Sequence, residues 1–207
     1  VREVEIGRRF RAPLRLRFYK TELGTLWCDR PKDETVLASR WAATTGVAQT
    51  LGAYMRLPTA RTALDAEKIL LNAHTLSLHF VLADAGGDVR YCQGGRIPQR
   101  MRAWSGLHPI GAEQATWSGF FEGERLPREG AVDGVIASAN DHIPAPDGTL
   151  LSTLAQPDYR KRRILSLLLA RGDHDRASMK SIQKDLLSLQ ALRLRPVNLM
   201  RIGFVLM

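Results

Sequence analysis

Residues 77–100 read SLHFVLADAGGDVRYCQGGRIPQR, and the rest of the chain is best understood outward from them. Two β-prone runs, Leu78 to Ala83 and Val89 to Cys92, flank Asp84-Ala85-Gly86-Gly87-Asp88. The paired glycines there supply the positive φ angles of a tight loop, so the spacing predicts a β-hairpin. Gly94-Gly95 then predicts a turn that ends the second strand. Beyond it, Arg96-Ile97-Pro98 and Arg100 place guanidinium groups at the sheet's end, in a loop. A hairpin that offers one polar side chain from a strand and one Arg from the loop after it can form a wall of an active site.

Upstream, Val1 to Thr45 alternates charged and apolar residues: Val4 and Ile6, then Leu14, Leu16 and Phe18, then Val36 and Ala38. Period two in short runs broken by Pro13, Gly24 and Pro31 predicts antiparallel strands with one wet face. Between Gly46 and Leu57 a helical spacing of Val47, Leu51, Tyr54 and Met55 is weakened by Gly52. Pro58-Thr59 predicts a helix start, with Thr59 as its cap, running to about Ala73. Downstream, Arg102 to Asp133 is punctuated by Gly and Pro without strong periodicity, a pattern found where a segment lines a site or wraps another part of a protein. Trp104 and Trp117 anchor it, and Val135 to Ala139 reads as a short strand.

The last third predicts a helical hairpin. Pro157 opens its first helix, whose apolar face of Ile164, Leu165, Leu168 and Leu169 ends before Gly172. Asp175 caps a second helix, with Met179, Ile182, Leu186 and Leu189 on one side until Pro196. Arg160 to Arg163 lies at a helix N-terminus, against the dipole, which points to a compensating contact outside the chain. The fold class is therefore α+β, antiparallel sheet elements with a C-terminal helical hairpin, and not an alternating βαβ sheet. The chain reads as one partial domain over 1–207: strand-rich 1–45, helical 46–73, the hairpin 77–100, irregular 101–156 and the helical hairpin 157–195. No phosphate-cradling glycine loop lies between a strand and a helix, so a nucleotide fold is not supported.

The net charge of +9 raises the question of an anionic partner. The arginines are spread along the chain, as on the wet faces of strands, so a solvated surface is favoured over an Arg-rich nucleic-acid or anionic-surface binding module. Hydrophobic content of 44% is enough for a core. Cys28 and Cys92 have no CxxC partner or nearby His cluster, which argues against zinc or iron–sulfur binding and leaves them to pair or stay free. No apolar run reaches the roughly 20 residues of a membrane span, and the N-terminus carries no signal peptide. A first residue of Val1 implies a processed or truncated chain.

Several landmarks together resemble the penicillin acylase (penicillin amidase) family of N-terminal-nucleophile hydrolases. His79-Phe80-Val81-Leu82-Ala83-Asp84, Gly87-Asp88-Val89-Arg90-Tyr91 and Gly95-Arg96-Ile97-Pro98-Gln99-Arg100 are similar to the family's NWxYAD, GNIGY and GxxPxR blocks, in that order. Trp104-Ser105-Gly106-Leu107, Trp117-Ser118-Gly119-Phe120, Leu126-Pro127, Gly134 to Asn140, Tyr159 to Ile164 and Gln183 to Ser188 continue the series. The resemblance runs from about residue 77 to 196. Before that only Thr21-Glu22-Leu23-Gly24 and Leu37-Ala38-Ser39-Arg40-Trp41 agree, more loosely.

The resemblance implies part of an αββα N-terminal-nucleophile hydrolase fold and hydrolysis of a linear amide, such as a penicillin- or acyl-homoserine-lactone-type acyl amide. An N-terminal Ser would attack with its own α-amine as base, and an amine with a pKa near 8 suits that task. The position of the family's oxyanion Asn falls on His79, and that of its active-site Arg on Arg100. The resemblance further implies a periplasmic or extracellular setting and, as partners, a small-molecule acyl amide substrate and the remaining parts of the parent acylase. No cofactor is implied for this segment. Calcium is a matter for the full-length protein, because the family's metal ligands lie largely outside it.

Three departures qualify this. The nucleophile is not at Val1, so the isolated chain is expected to be inactive. His79 replaces an amide, and Leu23 and Thr25 replace the His and Pro of the family's TxHGP block. An imidazole can donate one hydrogen bond to an oxyanion; a strand His bonded within the sheet, or a catalytically dead family member, are the alternatives. For Arg100 the alternative is a surface ion pair. Asp84 and Asp88 are expected to bond their own turn's amides rather than act as an acid/base pair. His74, His108, His142 and His174 are scattered, and Ser138 and Asn140 are read as structural.

Overall fold

A computed structural model describes residues 1–27, 35–100, 106–131 and 133–195. Two long strands, β1 (Arg2–Arg8) and β2 (Arg11–Phe18), form an antiparallel ribbon. Because side chains alternate across a strand, the register Val4↔Leu16 and Ile6↔Leu14 collects the apolar residues on one face. The other face carries cross-strand ion pairs, Arg17 Nε to Glu3 at 2.6 Å and Arg15 Nε to Glu5 at 2.8 Å. Pro13 lies within β2 instead of ending it, beside the irregular register between Ile6 and Arg8, where a missing N–H costs no regular ladder bond. The apolar face is not well covered, with Ile6 and Phe18 each 43% exposed.

Three short strands follow in a second sheet, β3 (Lys20–Thr21), β4 (Gly24–Leu26) and β5 (Ala38–Ser39). Cys28 and Pro31 lie outside the described residues. The ambiguous stretch after Gly46 is a helix, α1 (Val47–Arg56), that runs straight through Gly52. Pro58-Thr59 sits in a 3-10 turn. The next helix, α2 (Ala63–Leu70), starts later than the sequence suggested and is capped by Thr62, whose side chain accepts from the Asp65 N–H.

The central hairpin is β6 (Leu78–Ala83) and β7 (Val89–Gly94), with β10 (Arg128–Gly130) on the other edge of β7. Of the paired loop glycines only Gly87 has a positive φ, because Asp84 organises the rest of the turn. Its carboxylate accepts from the N–H groups of Gly86 and Asp88, as expected, and also from Ala63 at the start of α2. One side chain thus ties the hairpin loop to a helix N-terminus. These N–H donors hold the Asp84 carboxyl below the usual carboxylate range.

Ile97–Arg100, expected as loop, is a strand, β8, paired with β9 (Trp117–Phe121) from the stretch expected to be irregular. Trp104 lies outside the described residues. Beneath this pair a small core of Phe121, Leu126, Ala145 and Leu151 packs with Ile97. Val135 makes a single bridge and Ile136 to Ala139 does not continue it as a strand, short of the expected element.

The C-terminal helices are α3 (Tyr159–Leu168) and α4 (Arg176–Gln183). Asp175 caps α4 as expected, in a reciprocal box with Ser178, but α4 ends at Gln183 and residues 189–195 are helical again. The basic run at the start of α3 is compensated inside the chain, contrary to the expected outside contact. Lys161 Nζ bonds Asp141 at 2.8 Å, and Arg163 makes a bidentate pair with Asp185 at 2.7 and 2.9 Å.

Candidate active site

The β6–β7 register, His79↔Gln93 and Val81↔Tyr91, puts these four side chains on one face of the hairpin. Phe80, Arg90, Cys92 and Gly94 take the other, which is the face that the helices cover. Phe80 meets Tyr54 of α1 edge-on at 6.3 Å, and Arg90 Nη1 bonds Glu67 of α2 at 3.1 Å. Cys92 is a free thiol, fully buried, and burial pushes its pKa up to about 12. It is a packing residue and not a nucleophile.

On the His79 face the imidazole Nδ1 lies 2.5 Å from the Tyr91 hydroxyl, and the two rings stack at 5.7 Å. Asp141 and Lys161 act on this pair from the segment leading into α3 and from α3 itself. Burial lowers the His79 pKa below its ordinary value; Asp141 partly offsets this and Lys161 adds to it. The ring is therefore neutral at pH 7, with one donor nitrogen. Burial raises the Tyr91 hydroxyl pKa, so the phenol keeps its proton. Burial alone would raise Asp141 as well, but the Lys161 ammonium and the Ala139 N–H outweigh it and hold the carboxyl below the usual range.

At the foot of the hairpin, Gly95 is at φ +99° and its backbone runs against Ser77. Ser77 Oγ accepts from Gln93 Nε2 at 2.8 Å. A cleft of about 210 Å³ opens here between Trp41, His74, Ser77, Arg96 and Pro98. Arg96 lies over the Phe120 ring at 4.5 Å with Nε 2.5 Å from Glu122.

His79 and Arg100 are thus carried by different sheets, joined through the Gly94-Gly95-Arg96 turn. Arg100 is exposed, at an irregular register opposite Trp117. Desolvation by the protein around it lowers its pKa, which leaves an arginine charged. Trp117, expected as an anchor, is half-buried under the Arg40 guanidinium at 4.1 Å. Tyr91, Asp141 and Lys161 were missed as neighbours of His79. For Tyr91 the signal was present, since period two puts it opposite Val81 and diagonal to His79; Asp141 and Lys161 come near only through tertiary packing. Among the described residues no cluster of three His, Cys, Asp or Glu is placed to hold a metal ion, and no helix is long and apolar enough to cross a membrane.

The family model described as penicillin amidase matches residues 1–202. Among solved structures, the fold is similar to that of a thermostable penicillin G acylase from Alcaligenes faecalis, with a TM-score of 0.67 and 20% identity. That likeness covers 91% of this chain and 32% of the other, so the chain spans about a third of that protein. No curated protein matches. The family model extends the resemblance from the ordered blocks after residue 77 to the strands before them, and the mixed helix and antiparallel-sheet fold agrees with it: the chain belongs to the penicillin amidase family.

Proposed function

We propose that this chain is a segment of the nucleophile-bearing part of an amidase that hydrolyses linear amides, and that it supplies the wall of the site that receives the oxyanion. The observation that carries this reading is His79, placed on the hairpin face away from α1 and α2 with Nδ1 engaged by Tyr91 and Nε2 without a hydrogen bond to any described residue. The nucleophile is an N-terminal Ser from another part of the protein. Its Oγ attacks the amide carbonyl carbon while its α-amine takes the hydroxyl proton. The carbonyl oxygen becomes an oxyanion, and Nε2–H of His79 donates to it. Collapse breaks the C–N bond, the amine leaves with that proton, and water hydrolyses the acyl ester.

Arg100 is assigned to the same site as a fixed positive charge at the end of β8. Family membership favours a small acyl amide as substrate, the remaining parts of the parent acylase as partners, and a periplasmic or extracellular setting. The chain is one partial domain of that assembly.

The test is hydrolysis of a chromogenic acyl amide by the full-length protein. His79→Leu is expected to lower kcat/KM about 10²- to 10³-fold, the cost of one oxyanion donor, and also to lower the melting temperature, because the buried Tyr91 hydroxyl loses its partner. His79→Asn, which restores an amide donor, should retain activity. Equal rates for His79→Leu and the unaltered protein would overturn the assignment. A gain of orders of magnitude in His79→Asn would instead identify a site disabled by the imidazole.

A further inference from the structure

We infer that Tyr91 is a positioning residue: its hydroxyl donates to Nδ1 of His79 and thereby fixes the imidazole as the Nε2–H tautomer, with its one donor directed away from the hairpin. The inference rests on the reading of His79 as the oxyanion donor, and it adds the residue that makes an imidazole usable there. An Asn side chain always carries an N–H; a neutral imidazole carries its proton on either nitrogen, and in the wrong tautomer it would present a lone pair to an oxyanion.

The geometry decides between the two. Tyr91 is 2% exposed, and Nδ1 of His79 is the sole hydrogen-bond partner of its hydroxyl among the described residues. A buried hydroxyl proton without an acceptor is strongly disfavoured, so the phenol donates to Nδ1. Were Nδ1 the donor, the Tyr91 proton would have nowhere to go. Once Nδ1 accepts, the ring proton must sit on Nε2, the nitrogen that no described residue engages. The stacked arrangement of the two rings, 29° apart, and the strand-fixed positions of both residues hold the contact in place. Asp141 is occupied by Lys161 and by the Ala139 N–H, so it does not compete for the imidazole proton.

The test is nitrogen NMR of the full-length protein labelled with ¹⁵N-histidine, in which the His79 signals are those lost in His79→Asn. The expected result at pH 7 is a protonated, pyrrole-type Nε2 and a pyridine-type Nδ1. In Tyr91→Phe the tautomers should mix, with kcat reduced about 3- to 10-fold, the scale of one hydrogen bond, and KM nearly unchanged. A protonated Nδ1 in the unaltered protein, or an unchanged tautomer in Tyr91→Phe, would overturn the inference. Should the Nε2–H form be found while His79→Leu keeps its full rate, the tautomer assignment stands and the oxyanion reading fails, so the two are separable.

Discussion

At the scale of single residues, the surroundings of His79 include a charge pair that the sequence hides. Asp141 has a side chain only 5% exposed, and Lys161 is its partner at 2.8 Å. Removing one member of a buried pair leaves the other uncompensated, so Lys161→Met should cost about 3 kcal/mol at pH 7, measured by urea denaturation of the full-length protein. The pH dependence follows from the direction of each shift. The Asp141 pKa is depressed, so its contribution is present above the ordinary carboxylate pKa and is lost as pH falls through the folded value. In Lys161→Met burial is opposed by the Ala139 N–H without the ammonium, and that pKa rises relative to the unaltered protein. The penalty should therefore shrink as pH falls towards 4, and a pH-independent penalty would contradict the pairing. His79 adds a second dependence. Its pKa is lowered by burial, so the unfolded chain takes up the proton first, and stability should decline as pH falls through about 6.5 in the unaltered protein but not in His79→Asn.

At the scale of elements, two glycines predict opposite outcomes. Gly52 is exposed on α1, and a Cβ there would meet nothing within 4 Å. Gly52→Ala should stabilise by about 0.5–1 kcal/mol, because alanine loses less backbone entropy in a helix. At Gly95 a Cβ would come within 2.7 Å of the Ser77 Cα at a φ that L-residues rarely adopt. Gly95→Ala should therefore cost about 1–3 kcal/mol from backbone strain alone, and more as Ser77 is displaced from Gln93. Thermal melting of the two variants checks both signs. The same elements show what the sequence can carry. The hairpin was legible because its strands and loop signal locally, as was the Asp175 cap. The start of α2 was misplaced because Pro58-Thr59 mimics a start signal, while the true cap, Thr62, is marked by its bond to Asp65. β8 was hidden by Pro98, which demotes a strand on its own, and by a partner 17 or more residues away in a stretch without periodicity.

At the scale of the whole molecule, the chain exposes 15,593 Å², whereas a compact monomer of its mass exposes roughly 9,700 Å². That surface, about 1.6 times the compact value, includes the apolar side of the β1–β2 ribbon, where Leu14 is 39% exposed, and Trp27 and Trp41, which line an open groove of about 930 Å³. Strand periodicity announced that apolar face, but a pattern in one segment does not say what covers it. The chain spans about a third of a structurally similar acylase, and exposed apolar faces of this kind mark contact surfaces. Residues 1–207 alone should bind a hydrophobic-surface dye and self-associate, and the full-length protein should do neither; a monomeric, dye-silent fragment would contradict this. The arginines that prompted the nucleic-acid alternative are in large part engaged, as in the pairs of Arg90 and Arg128 with Glu67 and of Arg163 with Asp185.

The central claim is that His79 receives the oxyanion. It is tested most directly by a structure of the full-length protein bound to a transition-state analogue, a boronate or phosphonate joined covalently to the nucleophile. Nε2 of His79 is expected within about 2.7–3.1 Å of the oxygen that stands in for the oxyanion, with Tyr91 still on Nδ1. An analogue oxygen held by other donors, with His79 Nε2 beyond hydrogen-bonding distance, would contradict it.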